Sequence, residues 1–163
     1  MHRIVIIGNS GSGKSTLAAA LAREHGLEHL DLDTIAWNAT TPPTRRPLDE
    51  SAEAIEAFTA AHLSWVMEGC YADLAALALP QASRLLFLNP GTEQCVANCR
   101  ARPWEPHKYS SPAAQDRNLA MLIAWVRDYA TREDEFSLAS HRRLFDAYTG
   151  DKHEITELPL PVA

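Results

Sequence analysis

Short continuous apolar runs alternate with longer stretches of helical spacing from one end of this chain to the other. Ile4-Val5-Ile6-Ile7 is a β-branched run ending at Gly8, the pattern of a strand covered on both faces, as in a parallel sheet. Ser15 to His25 is rich in Ala and Leu, and Gly26 follows where a helix stops. His29 to Asp33 reads as a second short strand. Thr40 to Pro47 holds three prolines and two arginines and reads as a loop, after which Pro47 to His62 carries Leu48, Ile55, Phe58 and Ala61 on one helical stripe. Trp65 to Glu68 and Arg84 to Leu88 are the third and fourth strands, and Thr92 to Arg102 is helical. Arg102 to Pro112, with three prolines among Trp104, His107, Lys108 and Tyr109, predicts a mobile loop. Ser111-Pro112 caps and opens a helix with Leu119, Leu122, Ile123, Val126 and Tyr129 along one face. Ser137 caps another helix, carrying Leu144, Phe145 and Tyr148 and closed by Gly150, and His153 to Leu158 supplies a fifth strand.

Strands alternating with helices make βαβ units, so the predicted fold is one α/β domain over residues 1–163, a mostly parallel sheet with helices on both faces. Composition narrows the function. Hydrophobic residues make up 46% and charged residues 22%, an ordinary globular balance. With 15 Lys+Arg against 21 Asp+Glu the net charge is -6, which argues against a broad sequence-independent nucleic-acid surface. No apolar run approaches the ~18 residues of a membrane span. Three cysteines are too few and too scattered for a disulfide framework. The expectation is a cytoplasmic domain, monomeric or weakly dimeric, with neither a membrane nor nucleic acid as partner.

Gly8-Asn9-Ser10-Gly11-Ser12-Gly13-Lys14-Ser15 fits G-x-x-x-x-G-K-[ST] at every position, between a strand-like run and a helix-like run. Glycines let successive backbone N–H groups converge on one anion, and the helix that opens at Ser15 and Thr16 adds its N-terminal dipole. In this pattern the Lys14 ammonium reaches the β- and γ-phosphates and the Ser15 hydroxyl ligates Mg²⁺, so the cofactors implied are ATP and Mg²⁺. Three further features lean toward a kinase: the domain is small, the third strand ends in Glu68-Gly69-Cys70-Tyr71 without the Asp of large ATPases, and arginines cluster late in the chain.

From these motifs the chain resembles the superfamily of small nucleoside-monophosphate kinases and shikimate kinases. Within it, the likeness is greatest to bacterial adenylate kinase-like (DNA topology modulation protein-like) proteins. The resemblance spans nearly the whole chain, strong at residues 8–15, weaker after Trp104. It implies a parallel sheet of order 2-3-1-4-5, an acceptor-binding region at residues 34–62 and a helical lid at residues 100–135. Asp31-Leu32-Asp33 is similar to the Asp-x-Asp pair of shikimate kinases. By that likeness Asp31 orients magnesium water, and Asp33 holds the acceptor hydroxyl and takes its proton; the plainer reading is two carboxylates capping the next helix. Trp65-Val66-Met67-Glu68-Gly69-Cys70-Tyr71 resembles the W-I-I-D-G-N-Y segment of the topology modulation group, which makes Glu68 a second candidate for magnesium and puts Cys70 where that group has Asn. One of Arg45 and Arg46 grips an anionic acceptor, or is a solvated loop arginine. Arg102, Arg132 and Arg143 stand at positions resembling the phosphate-site arginines of adenylate kinases, where they would neutralise the transferring phosphoryl group; each is otherwise a helix-surface arginine. Asn98 replaces an arginine over the adenine. The glycine-rich acceptor segment of shikimate kinases is missing.

Cys95 and Cys99, four apart on a helix, lack a second ligand pair at zinc spacing and read as structural thiols. Trp125 reads as helix core, whereas Trp37 is either part of the fold or a platform for a planar substrate. The function these readings imply is a Mg²⁺-ATP-dependent kinase acting on a small-molecule acceptor, with Lys14, Asp33, Arg102, Arg132 and Arg143 catalytic. The alternatives are a nucleoside-monophosphate kinase and a nucleotide-gated regulatory ATPase acting through a partner.

Overall fold

In the computed structural model, which describes residues 1–157, the elements run in chain order from a central strand outward. The apolar run forms β1 (Arg3–Gly8), followed by α1 (Lys14–His25), β2 (Glu28–Asp31) and the single turn α2 (Asp33–Ala36). A two-residue ladder, β3 (Trp37–Asn38) against β4 (Thr44–Arg45), precedes α3 (Leu48–Ala61) and β5 (Trp65–Gly69). Then come α4 (Ala72–Ala78), β6 (Arg84–Leu88), α5 (Thr92–Ala101), α6 (Pro112–Arg127), α7 (Leu138–Ala147) and β7 (Asp151–Ile155).

The five-stranded sheet runs β2-β5-β1-β6-β7 with every neighbour parallel. Leaving out the β3–β4 ladder and numbering its five strands in chain order gives 2-3-1-4-5. The period of two along β1 divides the core. Val5 and Ile7 face Trp65, Met67, Leu85 and Phe87, with α3, α4 and α7 packed over them. Ile4 and Ile6 face Val66, Leu86 and Leu88, covered by Ala18 and the apolar stripe of α1. β1 is buried on both faces and paired on both edges, and the Gly-rich loop of residues 8–15 grows from its C-terminal end.

Four departures from the sequence reading have physical causes. The strand expected to run to Asp33 stops at Asp31, because the Asp31 carboxylate accepts from the Asp33 N–H at 2.9 Å and turns the chain into α2. α4, Ala-Asp-Leu-Ala-Ala-Leu-Ala, was not foreseen: it is buried on several sides, so its sequence shows no amphipathic period. α7 ends at Ala147 rather than at Gly150, and Lys152 closes it by donating to the Phe145 and Tyr148 carbonyls at 2.8 Å each. The last strand starts two residues early, at Asp151 rather than His153. It is a polar edge strand registered by the Arg84–Asp151 ion pair (2.6 Å), and Leu158 lies outside the described residues. Both expected serine caps are present: Ser111 accepts from the Ala114 N–H and Ser137 from the Ser140 N–H.

Candidate active site

The loop after β1 curls because Gly11 and Gly13 take φ of +78° and +96°, dihedrals closed to most residues. A Cβ at Gly11 would stand 2.4 Å from the Cys95 carbonyl oxygen, so α5 packs too closely to admit any side chain there. Asn98 donates to the Gly11 carbonyl at 2.8 Å and Asn9 to the Val126 carbonyl at 3.1 Å, tying the loop to α5 and α6. Asn98 thus braces the loop and also lines the cleft in front of it.

Lys14 is only 8% exposed, and its ammonium donates to the Asn9 carbonyl at 2.7 Å. Among the described residues no carboxylate lies within ion-pair distance of it. A buried cation without a counter-ion, at the N-terminus of a 12-residue helix, is a standing demand for an anion. Gly8, Asn9 and Ser12 form the buried inner side of the loop, where Ser12 Oγ and Asn9 Oδ1 have no hydrogen-bond partner. Ser10, Gly11, Gly13, Lys14, Ser15 and Thr16 face a cleft of about 970 Å³.

Across from the loop lie the strand-end carboxylates. β2 and β5 pair with Asp31 opposite Glu68. Glu68 is 2% exposed and accepts from the Ser15 hydroxyl at 2.9 Å, with His29 at 3.4 Å. Ser15, Asp31 and Glu68 are therefore brought together. Burial, then the charges of Glu68 and Asp33, push the Asp31 carboxyl up to about 6. His29 is raised by its contact with Glu68. This excess of negative charge beside a hydroxyl fits a hard divalent cation that also takes phosphate oxygens. Among the described residues no group of three or more His, Cys, Asp or Glu forms a metal cage.

Asp33 is held from two sides. Its Oδ1 accepts from the Tyr71 hydroxyl at 2.5 Å and its Oδ2 pairs with the Lys108 ammonium at 2.9 Å. The Trp37 indole N–H donates to the Tyr71 oxygen at 2.8 Å, which leaves the single Tyr71 proton to point at Asp33. Burial pushes the Asp33 carboxyl up, but Lys108 and Tyr71 outweigh it and hold the group below the usual carboxylate range. Asp33 is thus an ionised hydrogen-bond acceptor facing the cleft. Behind it, Arg45 lies 5.0 Å from the Tyr71 ring and pairs with Glu135 (2.7 Å) and Asp73 (3.0 Å). Arg45 is neither a free anion grip nor a solvated loop arginine; it braces the aromatic pair. Trp37, too, supports Asp33 from behind. No residue of the 34–62 region is among those lining this cleft.

The loop after α5 forms the roof. Trp104 and Gln115 bond its backbone internally, and Arg102, Glu105 and Lys108 project into the cleft. Arg102 lines the cleft and faces Glu105 at 3.7 Å. Arg132 and Arg143 do not reach the cleft. Arg132 stacks 4.0 Å over Trp125, donates to the Trp125 carbonyl and pairs with Asp134, because the chain after α6 folds back on that helix. Arg143 is exposed on α7. Lys108 was missed as a functional candidate, since only the folding of the loop carries its ammonium to Asp33.

Burial raises the pKa of all three thiols. Burial pushes Cys70 up to about 12 and Cys95 up to about 11, and Cys95 and Cys99 belong to the α5–α6 core. His141 is wholly buried: Nε2 meets the Cys70 carbonyl at 2.7 Å, an acceptor only, so Nε2 carries the proton and Nδ1 accepts from the Tyr129 hydroxyl at 2.6 Å. Burial lowers its pKa to about 4. Below pH ~6.5 the unfolded chain takes up a proton that the fold refuses, so stability falls as pH drops from ~6.5 to ~4, by about 3 kcal/mol from this group. Urea denaturation from pH 7.5 to 4.5 checks this against His141→Gln, which should lose the part of the slope owed to His141. Parallel slopes in the two proteins would assign the acid sensitivity elsewhere.

Residues 4–72, which contain the loop, Asp31, Asp33 and Glu68, match the family model described as an AAA domain. No curated protein matches the chain. Among solved structures, an unliganded sugar kinase from a Janibacter species is 15% identical, covering 99% of this chain and 90% of that one with a TM-score of 0.54. A shikimate kinase from Acinetobacter baumannii in complex with shikimate is also 15% identical, covering 99% and 87% with a TM-score of 0.52. The chain shares the fold of this sugar kinase and this shikimate kinase, a five-stranded parallel sheet flanked by helices. No helix among the described residues is long and apolar enough to cross a membrane.

Proposed function

We propose that this protein is a Mg²⁺-ATP-dependent kinase that phosphorylates a hydroxyl group of a small molecule. The observation that carries the reading is the pairing, in one cleft, of a buried cation lacking a counter-ion (Lys14) with an ionised carboxylate (Asp33). Lys14, the loop N–H groups and the N-terminus of α1 would hold the triphosphate; Ser15, with Asp31 and Glu68 behind it, would hold Mg²⁺. Bound there, Mg²⁺-ATP supplies the phosphoryl group, the acceptor oxygen displacing ADP from the γ-phosphorus.

Asp33 accepts the hydroxyl hydrogen bond and takes the proton as the oxygen becomes bonded, with Tyr71 and Trp37 fixing the carboxylate's direction. Arg102 and Lys108 bring positive charge from the roof, and closure of that roof excludes water. Arg132 and Arg143 are left out of the catalytic set.

The test is ADP release from Mg²⁺-ATP, alone and with a panel of nucleoside monophosphates, nucleosides, sugars, sugar acids and shikimate. An acceptor that lifts turnover toward the ~1–100 s⁻¹ of kinases sustains the reading. Slow release indifferent to every acceptor would replace it with a regulatory ATPase.

A further inference from the structure

Seven charged side chains line the cleft: the carboxylates Asp31, Asp33, Glu68 and Glu105, and the cations Lys14, Arg102 and Lys108. Lys14 lies inside the phosphate loop, at the donor end. The two roof cations are already paired with carboxylates. Lys108 lies 2.9 Å from Asp33 and 3.8 Å from Glu105, and Arg102 3.7 Å from Glu105. Glu105 Oε2 is buried and has no hydrogen-bond partner. On other elements, Arg45 is committed to Glu135 and Asp73 behind Tyr71, and the His29 ring lies against Glu68. Arg46 does not line the cleft.

We infer, resting on the kinase reading above, that the acceptor is a hydroxyl compound carrying no phosphate or carboxylate, an uncharged polyol or its protonated-amine counterpart. An anionic group entering beside Asp33 must draw Lys108 or Arg102 from its partner, leaving a carboxylate unpaired in a cleft that already has more acids than bases. Filling the donor end does not offset this, because a magnesium-bound triphosphate itself carries a net charge of about −2. A neutral hydroxyl leaves every ion pair in place and needs only an oxygen of Asp33. An ammonium group gains from Glu105.

The experiment uses the full chain with Mg²⁺-ATP and acceptors matched except in charge: glucose, glucosamine and gluconate; glycerol and glycerate; adenosine and AMP. ADP release is expected with an uncharged or aminated member, and kcat/KM for its anionic counterpart should be at least about tenfold lower. Glu105→Gln should shrink that ratio severalfold, because one of the repelling carboxylates is gone. An anionic member used as well as its neutral partner, or better, overturns the inference and leaves the kinase reading standing. A ratio unmoved by Glu105→Gln also overturns it, since the discrimination would then come from shape. If no member of any charge raises ADP release above the rate with ATP alone, the inference falls together with the kinase reading.

Discussion

Lys14→Met should bind ATP far more weakly than the parent chain and turn over about two to three orders of magnitude more slowly, while the unliganded protein becomes no less stable. The sign of the second effect follows from the site. The Lys14 residue is only 8% exposed and its ammonium's hydrogen bond goes to a neutral carbonyl, so the fold carries a largely desolvated charge that no described carboxylate pairs with. Methionine fills a similar volume without that cost. Thermal denaturation of the two proteins, with and without Mg²⁺-ATP, separates the contributions. The parent should gain stability with nucleotide as the binding equilibrium requires, and the variant should start at least as high and gain little. A variant that loses stability without nucleotide would show Lys14 to be a structural residue. One that keeps near-normal turnover would remove the loop from the mechanism.

How much of this site can be read from the chain depends on how local its geometry is. The phosphate loop is legible because its backbone demands fix residue types at fixed offsets: positive φ at Gly11 and Gly13, then the cation and hydroxyl of Lys14 and Ser15 where the helix begins. Asp31 and Asp33 are legible for the same reason, lying within one turn of a strand end. The five-strand order follows from βαβ alternation, and the buried run of β1 marks the centre of the sheet. What fails is anything whose direction is set by distant packing. Arg132 has the right type and spacing for a phosphate-site arginine, yet it folds back over Trp125 instead. Arg143 faces outward while its neighbour Arg142 turns inward to Glu154 at 2.7 Å. Lys108 sits in a proline-rich loop with no periodicity to aim it, and the Trp37–Tyr71–Asp33 chain joins three segments that no local pattern connects.

Asp33→Asn divides the acceptor half of the mechanism from the donor half. The substitution preserves the shape of the side chain and a hydrogen bond to Tyr71, but removes the charge that receives a proton and that holds Lys108 in the cleft. Turnover with a productive acceptor should fall by about 10²–10⁴, the range for losing a positioned base, whereas the KM for ATP should change by less than about twofold. The reason for the asymmetry is distance along the site. In the proposed mechanism Lys14 and the α1 N-terminus would hold the nucleotide from one side of the cleft, and Asp33 stands with Tyr71 and the roof on the other. Steady-state kinetics varying each substrate in turn reads both numbers. Equal losses in turnover and ATP affinity would place Asp33 with Asp31 and Glu68 in the metal-holding group. In that case Asp33 would be removed as the base, and the acceptor's proton would have to go elsewhere.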